Sequence, residues 1–108
     1  MKSKKEVKTF QIGDLVFAKI KGYPPWPARI EPFKSVPRSP SSTRYSLFFF
    51  GTHETGSCSA KDLYPFKDFE EKFSLPRVNR GFNEGIWEIV NTPDVLQEEA
   101  VVKLLVQF

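Results

Sequence analysis

The chain has 108 residues, 40% of them hydrophobic and 15% aromatic with eleven phenylalanines, and a formal net charge of +3. That length fits one folding unit with one core, and no apolar run approaches the roughly 18 residues of a membrane-spanning helix. One cysteine excludes an internal disulfide, and with a single histidine there is no Cys/His cluster for zinc, so no cofactor or metal is expected. The charge is uneven: residues 1–30 sum to +5, 31–80 to +2 and 81–108 to −4, a basic front and an acidic back that fit an oriented polyanionic partner.

In chain order, Lys2, Lys4, Lys5 and Lys8 lie in a stretch with little apolar content, read as a basic flexible arm over residues 1–9. Leu15 to Ile20 is a short apolar and β-branched run, and Trp26, Ala28 and Ile30 alternate with Pro27, Arg29 and Glu31, so two strands are expected with a turn between them. Gly22 relieves that turn. Pro24, Pro25 and Pro27 fix φ and push the residues before them, Trp26 included, into extended geometry. A stiffly held indole beside Tyr23, with Lys19 and Lys21 near, serves either as a core plug or as one wall of an open aromatic pocket.

Residues 32–43, with three prolines and a serine cluster, read as a surface loop. Arg44 to Phe50 is the strongest strand pattern, and its three phenylalanines make both faces of the pleat aromatic. Phe48 and Phe50 project to one side and Phe49 to the other, so if one set fills a barrel the remaining ring is available to a pocket. Gly51 ends this strand, Thr52 to Gly56 reads as a tight connection, and Ser57 to Ala60 as a short strand leading to Lys61–Phe66. A brief helical turn is expected over Asp68–Phe73, closed by Pro76. From Gly81 the period becomes helical, with Phe82, Ile86, Ile89 and Val90 as a stripe broadened by Trp87. Pro93 is placed to start another helix, in which Val101, Leu104, Leu105 and Phe108 follow helical spacing. Ending on an apolar, uncapped Phe108, the sequence reads as a piece of a longer protein.

Gly13-Asp14-Leu15-Val16, Lys19-Ile20-Lys21-Gly22 and Pro24-Pro25-Trp26-Pro27 resemble the signature of the PWWP domain, a methyl-lysine reader of the Tudor-like group. Phe48 to Thr55, Lys61-Asp62-Leu63 and Gly81 to Ile89 resemble, in order and spacing, the branch that contains the hepatoma-derived and lens-epithelium-derived growth factors. The resemblance spans about residues 10–95. It implies a five-stranded Tudor-like, SH3-like β-barrel over about 10–66, helices from about 68 and a C-terminal helix over 93–108. It also implies a nuclear, chromatin-associated and non-catalytic function: binding a methylated histone H3 tail, at lysine 36, together with sequence-nonspecific contact to nucleosomal DNA.

Carried over residue by residue, the methyl-lysine cage falls at Ile20, Trp26 and Phe49. A methylated lysine is a soft cation that has lost hydrogen-bond donors and suits ring faces; Ile20, where related domains commonly carry Met or an aromatic, offers none. Glu54 and Tyr23 are the expected histone-tail contacts. Lys19, Lys21, Lys61, Arg77 and Arg80 are the expected phosphate contacts, which position without reading sequence. Nothing sets Cys58 or a serine in a frame with His53 and an acid, as a hydrolase needs. The alternative is a protein–protein or heparin-like polyanion module whose aromatics are all core.

Overall fold

The computed structural model describes residues 9–32 and 44–95. The basic arm up to Lys8, most of the proline- and serine-rich loop, and the helix expected beyond Pro93 therefore lie outside the described residues.

Five strands form one antiparallel, curled sheet: β1 (Leu15–Ala18), β2 (Trp26–Glu31), β3 (Arg44–Phe49), β4 (Thr55–Ser59) and β5 (Leu63–Pro65), in spatial order β4-β3-β2-β1-β5. This is the mostly-β, Tudor-like architecture, completed by helices α1 (Phe66–Phe73) and α2 (Phe82–Asn91). β1 is two residues shorter than its apolar run. The Lys19 N–H donates to Asp62 O beside β5, and a turn closed by Tyr23 N–H to Ile20 O follows.

The period-2 alternation of the strands feeds two cores rather than one core and one wet face. Val16, Ala18, Ala28, Ile30, Leu47, Cys58 and Leu63 fill the inside of the curl. On the other face Phe17, Phe48 and Phe50 pack with Phe66 and Ile89 from the helices and with Val95. Phe48 and Phe50 thus belong to the layer between sheet and helices, and Phe49 belongs to the inner face. Phe17 is the hub of the helix side: its ring stacks on Phe66 at 5.1 Å and meets the edge of Phe73 at 5.3 Å.

Arg29 sits in this apolar layer with 6% of its surface exposed, although the alternation of β2 gave no sign that it was more than an outward charge. Its guanidinium lies 4.8 Å from the Phe48 ring centroid, pairs with Glu31, and donates to the carbonyls of Pro93, at 2.9 Å, and Val95. The buried charge is thereby paired and hydrogen-bonded, the condition for tolerating it, and it ties the chain after α2 to the sheet.

Helix α2 corrects the expected apolar stripe. Phe82, Gly85 and Ile89 are buried and Ile86 is half-buried, whereas Trp87 and Val90 are 59% and 53% exposed. The reason is a close backbone approach. A Cβ on Gly85 would stand 2.7 Å from Phe50 O, and one on Gly51, whose φ is +88°, would stand 2.0 Å from Gly81 O. The helix rotates to bring its glycine, not its tryptophan, against the sheet. Gly85→Ala is therefore expected to destabilise the fold by up to about 2 kcal/mol, because an overpacking cost of roughly 1–3 kcal/mol against rigid backbone outweighs the roughly 1 kcal/mol gained in helix propensity. Denaturant titration checks the sign; an increase in stability would show that the helix has room to move.

Candidate functional site

The three proposed cage positions share one face and one end of the sheet. Ala18 pairs with Trp26 and Ala28 with Phe49, so Trp26 and Phe49 lie on the inner face with the alanines, and Ile20, two residues past Ala18, follows the same side. Ile20 and Phe49 are partly buried and pack against the inner core. The Phe49 ring covers Gly56 of β4: a Cβ at that glycine would stand 2.8 Å from Phe49 Cε2.

Trp26 is only 6% exposed. Its Nε1–H donates to Phe50 O at 2.9 Å, and its ring makes edge contacts with Phe82 at 5.2 Å and with Tyr23 at 6.1 Å. The proline-bracketed backbone and this hydrogen bond give the indole one orientation. Tyr23 is more than half exposed beside it, at the outer end of the aromatic row.

The expected phosphate contacts divide into two groups. Lys19, Lys21 and Lys61 are exposed on the rim where the β1–β2 turn meets the 3-10 turn Ala60–Asp62, joined by the Lys19 N–H to Asp62 O bond. Lys19 is already engaged, since its Nζ donates to Ile20 O at 3.2 Å and to Tyr23 O at 2.9 Å. It braces the turn that carries Ile20 and Tyr23. Arg77 and Arg80 lie before α2. The Arg77 guanidinium is 5.5 Å from the Phe82 centroid, and its backbone N–H and C=O are both held by the Asn83 side chain, at 2.9 and 3.0 Å. Tyr23, Trp26 and Phe82 thus run as a row of ring contacts from the Lys19 rim to Arg77. Arg80 is exposed next to Gly81.

Glu54 is exposed and its carbonyl accepts the Phe49 N–H at 2.8 Å, which closes the β3–β4 connection. His53 occupies the left-handed region at φ 61° and stacks on Phe48. Its Nε2 lies 2.7 Å from one oxygen of Glu88, whose other oxygen accepts the Gly51 N–H at 2.7 Å. The histidine belongs to a clamp between the turn and α2. Glu88, Asn83 and Gly56 were not singled out from the sequence: acids and amides on a helix read as a solvated face, and Gly56 reads as the end of the Thr52–Gly56 connection, whereas β4 begins at Thr55 and includes it.

Cys58 is buried, and burial first, then the nearby Asp62, pushes its thiol above the ordinary value, partly opposed by Arg44. It stays protonated at neutral pH and is a poor nucleophile. Among the described residues no group of three or more His, Cys, Asp or Glu is placed to hold a metal ion. A groove of about 710 Å³ opens at Phe10, Leu15, Phe66, Ile89 and Pro93, on the helix side and away from Trp26.

A small curled sheet with an aromatic row recessed at one end and lysines on the adjoining rim is the geometry of a ligand-binding module. The chain belongs to the PWWP domain family, whose model matches residues 13–94. It is similar to Protein HUA2-LIKE 2 of Arabidopsis thaliana, 30% identical over 82% of this chain and 7% of that protein. It also resembles ENHANCER OF AG-4 protein 2 of the same plant, 42% identical over 51% of this chain and 4% of that protein. Cytokine-like nuclear factor N-PAC of Aedes aegypti is 33% identical over 76% of this chain and 15% of that protein. The chain thus spans a small fraction of each of these relatives' length.

The Lys19 brace has a direct readout. Lys19→Met removes the donors to Ile20 O and Tyr23 O, so amide exchange at Tyr23, whose N–H closes the same turn, is expected to accelerate several-fold while exchange within β2 and β3 is unchanged. Unaltered exchange at Tyr23 would mean that the lysine does not hold the turn.

Proposed function

We propose that this domain is a non-catalytic, nuclear chromatin reader: it takes a methylated lysine of a histone tail, the resemblance implying lysine 36 of histone H3, between Trp26, Phe49 and Ile20, while the neighbouring basic rim rests on nucleosomal DNA. The observation that supports this reading is the strand register, which puts positions 26 and 49 on one face and at one end of the sheet, with Ile20 and Phe49 packed against the inner core and Lys21 and Lys61 exposed on the adjoining rim. A soft cation is drawn to the ring faces, and the half-buried Phe49 supplies the more open one. With Ile20 contributing apolar contact alone, peptide affinity is weak, and DNA contact supplies the rest by presenting the tail at high effective concentration. One relative is named as a nuclear factor, which agrees with a nuclear site of action.

The deep burial of Trp26 favours a second reading, in which the aromatics are core and the rim binds an acidic partner or a polyanion such as heparin. Titration with methylated and unmodified lysine peptides separates the two. In the reader, Phe49→Ala is expected to reduce the preference for the methylated peptide by about 2- to 30-fold, the equivalent of roughly 0.5–2 kcal/mol of cation–π energy, with the fold checked by circular dichroism. A folded variant that keeps its full preference, or a wild type that has none, removes the cage.

The rim is tested by salt. Each phosphate contact contributes about 0.9 to the slope of log K against log salt, so Lys21→Ala with Lys61→Ala is expected to flatten the slope by nearly 2 without changing preference among duplex sequences. An unchanged slope would place the DNA contact elsewhere.

A further inference from the structure

β4 is an edge strand of the sheet, and among the described residues no strand pairs with its outer side. The opposite edge, β5, carries Pro65 and runs directly into α1, whereas β4 reads Thr-Gly-Ser-Cys-Ser, without proline or charge, and Thr55, Gly56 and Ser57 are all exposed. The ladder fixes which groups face outward. The Phe49 N–H donates to Glu54 O, so residues 49 and 54 form a hydrogen-bonded pair; by alternation so do Leu47 with Gly56 and Tyr45 with Cys58. Thr55 and Ser57 therefore turn their N–H and C=O away from β3. The Ser57 carbonyl is met from the side by Arg44 Nη2 at 2.9 Å. Among the described residues, the outward N–H groups of Thr55 and Ser57 and the Thr55 carbonyl have no partner.

Gly56 lies between these two residues on the inner face, opposite Leu47, and the Phe49 ring lies over it. A strand added beyond β4 would run about 4.8 Å away and hydrogen-bond through Thr55 and Ser57. Its residue opposite Gly56 would point to the inner face, where the glycine leaves no side chain between it and Phe49.

We propose that the outer edge of β4 takes up the methyl-lysine peptide as a sixth, antiparallel strand, with the lysine opposite Gly56 and its two neighbours hydrogen-bonded to Ser57 and Thr55. This rests on the reader function proposed above and assigns to it what that function lacks, the backbone register of the ligand. The lysine enters along the Phe49 ring towards Ile20 and Trp26, its flanking residues place their side chains on the other face with those of Thr55 and Ser57, and its own N–H points away from the domain.

The register makes a residue-by-residue test that leaves the protein unaltered. Short peptides with a central trimethyl-lysine are titrated against the 108-residue chain, with a backbone N-methyl group placed on the residue before the lysine, on the lysine or on the residue after it. Blocking either neighbour removes a hydrogen bond and inserts a methyl between the strands, so each is expected to weaken binding by about tenfold or more, whereas N-methylation of the lysine itself is expected to change it less than about twofold. Equal losses at all three positions, no loss at any, or the greatest loss at the lysine would overturn the edge pairing. The peptides with an ordinary backbone, methylated and unmethylated, keep the two proposals apart: no preference for the mark removes the reader function, whereas a clear preference with a flat N-methyl scan removes only the edge pairing.

Discussion

The backbone of α2 lies directly on the chain at Phe50 and Gly51, and the position of the candidate site depends on that approach. Gly51, Gly81 and Gly85 leave no side-chain layer between helix and turn, so Phe82, one residue into the helix, reaches the edge of Trp26. Phe50, the residue on which Gly85 rests, also offers the carbonyl that fixes the indole Nε1–H. The Glu88 carboxylate holds the same turn from the next helical turn through Gly51 and His53. Helix, turn and tryptophan are thus one mechanical unit, and a change that lifts the helix moves the indole.

The sheet is used twice. Its helix face is aromatic and holds the buried Arg29, which fastens the chain beyond α2. Its inner face has a core of small and aliphatic side chains, Ala28 and Cys58 among them, with partly buried rings against it at Phe10 and Tyr45 and at Phe49. That distribution leaves most of the ring surface to packing, with Phe49 and Tyr23 among the rings that stay partly open. Charge follows the same economy: Lys19 braces a turn, Arg77 lies on Phe82, and Lys21, Lys61 and Arg80 face solvent.

Much of this was legible in the residues. The alternation of β2, the triple phenylalanine and the proline-bracketed tryptophan placed the strands within one or two residues, and the separated motifs carry the family that the match over residues 13–94 shows. Three features were not legible, for physical reasons. Arg29 occupies a position that alternation assigns to a face, and the sequence does not say that aromatic rings cover that face. Trp87 and Val90 match a helical stripe, but hydrophobicity gives no weight to Gly85, the residue that decides which side of α2 meets the sheet. Gly56 is meaningful only against the Phe49 ring on the neighbouring strand, a relation that pairing register supplies and linear order hides.

The central claim is that the mouth formed by Ile20, Trp26 and Phe49 receives the methylated lysine. The most direct measurement is side-chain NMR of the domain during titration with a trimethyl-lysine peptide and its unmethylated counterpart. The account predicts that the Ile20 methyl, Trp26 indole and Phe49 ring signals move with the methylated peptide alone, while Trp87 and Ile89 stay in place. Shifts centred on Trp87, or on the groove between Leu15 and Ile89, with the mouth unaffected, would contradict it.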